Sequence, residues 1–420
     1  MSAIEFKIVK KIGEEAPFAR AGILTTKHGD IETPAFVVVG TKATVKGITP
    51  EMLKDTGAQV MLSNTYHLYL QPGNEVVRDA GGLQGFSNWH GPTMTDSGGF
   101  QAFSLGAAFG KNITKFTKGE SEILLQSRRD ESSPLKPAQI DANGVMFRSV
   151  IDGSVHYFTP EKSIQIQHDL GADIIFAFDE CTSPQEPYAY QAEAMDRTHR
   201  WAKQSLMYHV FDEQGKIKEA SERQALFGIV QGGRSEKLRK ESAEVLKNMT
   251  ITLPDGSTKG FDGFGIGGSF AKEDMTTAVE WVNGILPEDK PRHLLGIGEA
   301  EDLFEAVEKG CDLFDCVMPT RNGRTGTLLT KYGKMNISNA KYVNDFTKIE
   351  DGCECYTCKN YSRAYISHLF RAKEMLGGTL ATIHNIYFTV QLVKNIRESI
   401  LNDTFFKFKK EFLSLYHKEE

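Results

Sequence analysis

The chain reads as an α/β protein built as a (β/α)8 TIM barrel, and three features of the sequence predict it. Short apolar runs rich in β-formers recur eight times. Each is close to continuously apolar, the pattern of parallel strands covered on both faces. Helix-like amphipathic stretches separate them, so strand and helix alternate along the chain.

The expected strands, in order, are A-F-V-V-V-G (35–40), Q-V-M-L-S-N (59–64), T-M-T-D (93–96), D-I-I-F-A-F-D (173–179), A-L-F-G-I-V-Q (225–231), F-G-I-G-G (264–268), H-L-L-G-I-G (293–298) and L-F-D-C-V (313–317). The clearest expected helices are Pro160–Leu170, Ala189–His209, Glu236–Met249 and Ala300–Lys309. Residues 108–140 are polar and weakly periodic and read as an insertion after the third strand. Asp255-Gly256 is a hairpin-turn signal. The expected domains are a catalytic barrel over 1–350 and a C-terminal subdomain over 351–420. Two amphipathic helices are expected in the latter, Ser362–Leu376 and His384–Ile400, with Gly377-Gly378 as the break between them.

Polar residues gather at the strand ends: Asn64, Asp96, Asp179, Gln231, Gly268, Gly298 and Asp315. In a parallel barrel those ends share one rim, where active sites lie. A single aspartate there is often only a helix cap. Three aspartates with a glutamine make a poor set of caps and a good cleft.

Cys353, Cys355 and Cys358, with His384 after 25 further residues, form the sharpest local signal. Three thiols in one short loop gain little by burial alone. A tetrahedral Zn2+ held by three sulfurs and one imidazole accounts for them and leaves no open position for chemistry, so the site is structural. The other cysteines, Cys181, Cys311 and Cys316, read as free thiols of a reducing compartment. No signal peptide and no apolar run long enough to span a membrane is present, which predicts a cytoplasmic protein without membrane attachment. The net charge of −6 gives no global sign of nucleic-acid binding. A local basic face is open at two places: the glycine-rich loop 319–331 with Arg321 and Arg324, and the set Lys359, Arg363, Arg371, Lys373, Lys394 and Arg397.

Several of these strings together resemble bacterial tRNA-guanine transglycosylases: M-L-S-N-T-Y-H-L (61–68), M-T-D-S-G-G-F-Q (94–101), A-F-D-E-C-T (177–182), F-G-I-V-Q-G (227–232), F-D-C-V-M-P-T-R-N-G-R (314–324) and the cysteine set with S-R-A-Y (362–365). The resemblance implies a barrel with an inserted zinc subdomain. It also implies exchange of guanine at the wobble position of G-U-N anticodon tRNAs for a 7-deazaguanine base. On it, Asp315 is the nucleophile that traps an oxocarbenium-like ribose C1′, and Asp96 handles protons on the departing and arriving bases. Ser97, Gly98, Gly99, Phe100, Asp179, Gln231, Gly268, Ser269 and Leu295, with Asp96, fall at base-binding positions, Phe100 and Leu295 sandwiching the ring. RNA contacts are implied for Gly296, Ile297, Gly298, Glu299, Ala300, Glu301 and Asp302, and for Thr320, Arg321, Asn322, Gly323 and Arg324. The target nucleotide leaves its stack to react. A homodimer with one structural Zn2+ per subunit is implied, with Lys46, Tyr365 and His368 at contact positions.

The chain departs from the family at G-G-S-F-A-K-E (267–273). Ser269 replaces a leucine and Ala271 a valine, which predicts a roomier pocket and leaves queuine open beside the precursor preQ1. Cys181 in D-E-C leans towards preQ1. Two rival readings are a non-catalytic tRNA-binding relative, opposed by the presence of both Asp96 and Asp315, and an archaeal-type enzyme, which would need a further RNA-binding domain. A metal-dependent barrel hydrolase would need ligands at the strand ends, where His67 is the only nearby histidine.

Overall fold

A computed structural model describes residues 3–102, 116–117, 138–212, 214–218, 223–267, 270–271 and 274–417. Eight strands form a closed barrel in chain order: β1 (Ala35–Val39), β2 (Met61–Ser63), β3 (Thr93–Thr95), β4 (Ile174–Phe176), β5 (Ala225–Val230), β6 (Gly263–Ile266), β7 (Arg292–Leu294) and β8 (Leu313–Cys316). Pairing is parallel between β8 and β1, β1 and β2, β3 and β4, β4 and β5, and β5 and β6. All eight expected strands form. They stop short of the polar residues, so Asn64, Asp96, Asp179 and Gln231 follow strand ends, whereas Asp315 lies inside β8. Every residue of β1 and β5 is buried, as cover on both faces requires. Glycines in β5 and β6 make room for aromatic rings: a Cβ on Gly263 would stand 2.5 Å from Phe227, and one on Gly228 would stand 2.9 Å from Phe261.

Helix Pro160–Leu170 has its expected bounds. The Oγ1 of Thr159 accepts the Lys162 N–H at 3.2 Å, Pro160 opens the first turn, and Gly171 ends the helix at φ 72°. Tyr188–Val210, Glu236–Asn248 and Ala300–Glu308 also fall where expected. At the Asp255-Gly256 signal a hairpin joins Ile251–Thr252 to Thr258–Lys259, with Gly256 at φ 83°. Most of the expected insertion at 108–140 lies outside the described residues. Among the described residues no helix is long and apolar enough to cross a membrane.

The chain divides into two compact units. One comprises Met1–Glu5, Asn64–Phe86 and Met94–His293; the other comprises Phe6–Ser63, Ser87–Thr93 and Leu294–Glu420. In the first, an antiparallel sheet of Ala138–Ile140, Val145–Arg148 and Val155–Phe158 was not foreseen from the sequence. Its buried Phe147 and Phe158 pack on Tyr66 and Tyr69 of the helix that follows β2, and Phe158 also meets Phe178 beside Asp179. In the second, an equally unforeseen sheet (Glu5–Lys11, Arg20–Thr26, Gly29–Thr33) is tied down by two buried arginines. Arg20 pairs with Asp312 through Nε–Oδ1 and Nη2–Oδ2 at 2.9 and 2.7 Å. Arg397 donates to the carbonyls of Gly22 and Thr33.

Two expectations about local structure are corrected. Gly377-Gly378 is no break, because it sits in the first turns of a continuous helix, Met375–Leu401. The preceding helix, Arg363–Arg371, ends instead at Ala372 to Glu374, where Lys373 takes φ 58°. The glycines serve close packing: a Cβ on Gly377 would stand 3.1 Å from that of Leu369. Residues Met318–Arg324, expected as loop, are helical, with Pro319 in the first turn.

Candidate active site and metal centre

Asp179, buried after β4, is the hub of the polar cluster in the first unit. Ser97 Oγ donates to its Oδ1 and Gln231 Nε2 to its Oδ2, each at 2.7 Å. Ser97 Oγ also accepts the Gly99 N–H at 3.2 Å, which ties the D-S-G-G turn to the same carboxylate. The Gln231 amide is thereby oriented, yet its Oε1 is buried with no hydrogen-bond partner among the described residues. An orphaned buried acceptor is costly, and here it is an acceptor aimed away from Asp179 and ready for a donor. The strand-end loop is pinned behind Asp179: Glu180 is buried, its side chain taking bonds from Arg197 and from Tyr190 Oη, its N–H donating to Thr198 Oγ1. Arg239, fully buried, spans the carbonyls of Gly233 and Gly267 after β5 and β6, and burial pulls it down to about 9.

Asp96 accepts the Thr65 N–H at 2.9 Å and a bond from the Asn64 side-chain amide. Asn64 meanwhile caps helix Thr65–Leu70 by accepting the His67 N–H at 3.0 Å. The carboxylate therefore faces a helix N-terminus, the favourable end for negative charge. The capping reading of Asp96 is thus partly right in geometry, although the residue is only half-buried. Phe100 is half-buried three residues beyond Ser97. Gly268 and Ser269 lie outside the described residues, as does the Ala271 side chain.

In the second unit Asp315 is half-buried and its Oδ1 accepts the Gly296 N–H at 3.1 Å from the loop after β7. A Cβ on Gly298 would stand 2.6 Å from Cys316, so glycine is required for that loop to lie against β8. Leu295 is half-buried beside it. In helix Met318–Arg324, Thr320 and Gly323 are buried, Asn322 is half-buried, and Arg321 and Arg324 are exposed, with Arg324 Nε on the Thr320 carbonyl at 3.3 Å. Of the stretch 296–302, Ile297, Gly298, Ala300 and Asp302 are buried; Glu299 pairs with Lys334 and Glu301 with His417. Burial and the carboxylates of Glu299, Glu301 and Asp302 push Tyr416 upward. This stretch presents little positive charge, so the exposed arginines of the following helix are the cationic element here. The second basic set is largely spent internally: Arg397 is buried, Arg363 pairs with Asp345, and Lys359 with Glu354. Lys46, Tyr365 and His368 are exposed, with Tyr365 stacked on Tyr361 at 5.3 Å.

Cys353, Cys355, Cys358 and His384 are all buried, and their ligand atoms lie within 4.8 Å of one another. His384 Nδ1 is 3.8, 3.6 and 3.4 Å from the three sulfurs in that order. A tetrahedral ion with bonds of about 2.3 Å to sulfur and 2.0 Å to nitrogen sets such edges at about 3.5 Å, so the four fit one metal. The opposite nitrogen, Nε2, donates to the Leu329 carbonyl at 2.8 Å, which fixes the tautomer with Nδ1 free to ligate. Hydrogen bonds from Cys353 and Cys355 hold the Cys358 thiol down to about 4, while bonds to Cys353 and Cys358 push Cys355 up. Such uneven sharing of protons is what a cation would replace. Leu328, Ile337, Ile366, Leu369 and Leu380 share one buried apolar cluster with the three cysteines.

Sequence reasoning assigned no role to Glu180, although it lies in a quoted motif, and missed Arg197, Arg239 and Asn385, buried polar residues that carry no motif signature. Comparison with known proteins adds the family context. The pattern of the family described as Queuine tRNA-ribosyltransferase matches residues 15–114 and 107–418. The chain is 46% identical over 424 residues to the Queuine tRNA-ribosyltransferase of Thermoanaerobacter pseudethanolicus, covering 100% of both chains. It is 45% identical to that of Desulforamulus reducens (99% of both), and 46% identical to that of Halothermothrix orenii (95% of this chain, 94% of the relative).

Proposed function

Because this chain belongs to the queuine tRNA-ribosyltransferase family, and so to the tRNA-modifying glycosyltransferases, we propose that it exchanges guanine 34 of G-U-N anticodon tRNAs for preQ1. The observation that carries the base-binding half of this reading is the oriented, partnerless Oε1 of Gln231 beside the doubly bonded Asp179. That oxygen is an acceptor suited to an N–H donor of a guanine-like ring.

In the proposed reaction the Asp315 carboxylate attacks ribose C1′ as the bond to guanine N9 breaks. The electron pair of that bond leaves with guanine, and Asp96 supplies the proton it takes up. The ester is then opened by the incoming base, whose ring N–H proton returns to Asp96 as the new C1′–N bond forms. Gly296 holds Asp315 in place through its N–H. Arg321 and Arg324 take the anticodon loop outside the pocket, and Phe100 and Leu295 flank the base. The metal of the Cys3His set is zinc, structural, and residues 351–420 are the subdomain it holds. The working form is a cytoplasmic homodimer.

The test is exchange of radiolabelled guanine into a G-U-N tRNA transcript, run beside Asp315→Asn, with denaturing gels to catch a protein–RNA adduct. Label and adduct are expected with the wild type alone. Equal label in both proteins removes Asp315 from its role. A second reading, queuine as the incoming base, is favoured by Ser269 and Ala271 in place of larger residues; offering both bases in the same assay decides between them.

A further inference from the structure

Asn385 follows the metal ligand His384 on helix Met375–Leu401 and is fully buried. Its side chain makes three hydrogen bonds. Oδ1 accepts the Leu329 N–H at 2.9 Å, and Nδ2 donates to the carbonyls of Thr327 and Pro319 at 2.9 and 3.1 Å. His384 donates to the carbonyl of the same residue, Leu329. Two consecutive residues thus hold Leu329 through both of its backbone groups, and the second also reaches into helix Met318–Arg324.

That reach matters because the arginine helix is only seven residues long. A helix of that length is not stable by itself and takes its position from what it packs on. What it packs on is the Asn385 helix. A Cβ on Gly323 would stand 2.8 Å from the Thr382 backbone nitrogen, and one on Gly378 would stand 3.8 Å from Arg324 Cα. Apart from these backbone approaches, the Asn385 amide is the polar tie between them, and it holds the first turn, four residues after Asp315.

We infer that Asn385 is a positioning residue for the base-exchange reaction: its amide sets the height and rotation of helix Met318–Arg324, and so the presentation of Arg321 and Arg324 to the tRNA anticodon loop. Asn385 touches no substrate. The inference rests on the proposed reading of those arginines as RNA contacts.

Asn385→Asp is nearly isosteric, keeps the acceptor for Leu329, and turns a carboxylate oxygen towards two carbonyls. Asn385→Leu removes all three bonds. Both are expected to raise KM for tRNA about tenfold, the scale of one or two lost hydrogen bonds. KM for free guanine and the metal content of the chain should stay at wild-type values. A merely structural role would move the two KM values together or release the metal, and either outcome overturns the inference, as does an unchanged KM for tRNA. If neither variant folds, Asn385 is a requirement of the whole subdomain and the inference also falls. Arg321→Ala separates the two layers. If it leaves KM for tRNA unchanged, the reading of the helix as an RNA contact fails; if it raises KM while Asn385→Asp does not, only the positioning role fails.

Discussion

Gln231, in the proposed reading, divides its two ends between structure and ligand. Its Nε2 stabilises Asp179 and its Oε1 has no partner among the described residues. Replacing it by leucine removes an unsatisfied acceptor together with a useful donor, so the two effects on stability oppose one another. Binding has no such compensation. Gln231→Leu is expected to raise KM for the free base by roughly ten- to a hundredfold while leaving the melting temperature close to that of the wild type; a variant with normal base KM would remove Gln231 from recognition. The identity of the strand-end residues was legible in the sequence because Asn, Asp and Gln at the close of apolar runs are conspicuous. Their bonding was not. Nothing in the spacing of Ser97, Asp179 and Gln231 says that one carboxylate gathers both neighbours, since that depends on where three separate strands stop. Asn385 was invisible for a related reason: beside His384 it reads as one more helix residue.

At the scale of elements, the barrel strands and the capped helices were legible because each carries its own local signal. Continuous apolar runs mark the strands, and Thr159, Pro160 and Gly171 punctuate a helix. The misread elements are those set by contacts distant in sequence. Gly377-Gly378 looks like a break, yet it lets a helix approach its neighbours, and Asn322-Gly323 looks like a turn, yet it is helical because Gly323 meets Thr382. The N-terminal sheet likewise depends on remote partners, above all the buried pair Arg20–Asp312. Removing one partner strands a charge in the interior. Asp312→Leu alone is expected to destabilise by about 3–5 kcal/mol, whereas the double change Arg20→Met with Asp312→Leu should lose far less. Chemical denaturation of the three variants checks this, and an additive double mutant would mean that the pair is not coupled.

For the molecule as a whole, acid is the condition to which this fold is exposed. His168 donates from Nε2 to His209 Nδ1 at 2.9 Å, because His209 Nε2 is itself committed to the Gln224 carbonyl. Both rings are therefore neutral, and Tyr208 stacks on His168 with Lys218 above it. Burial, then Lys259, Arg223 and Lys218, pull His209 down to about 3; burial, then His209 and Lys218, pull His168 well below its ordinary value. The unfolded chain takes up these protons first. The stability contributed by the neutral pair is thus complete above about pH 6.5 and drains away as pH falls below it. His209 alone should remove about 2 kcal/mol between pH 7 and pH 5. His209→Gln should flatten that stretch of the melting-temperature curve, and an unchanged slope would contradict the assignment.

Asp179 is bonded by Ser97 and Gln231 in one stretch of chain, while Asp315 is bonded by Gly296 in another. If the proposed roles hold, changes around Asp179 can retune which base is held while the bond that fixes Asp315 is left untouched.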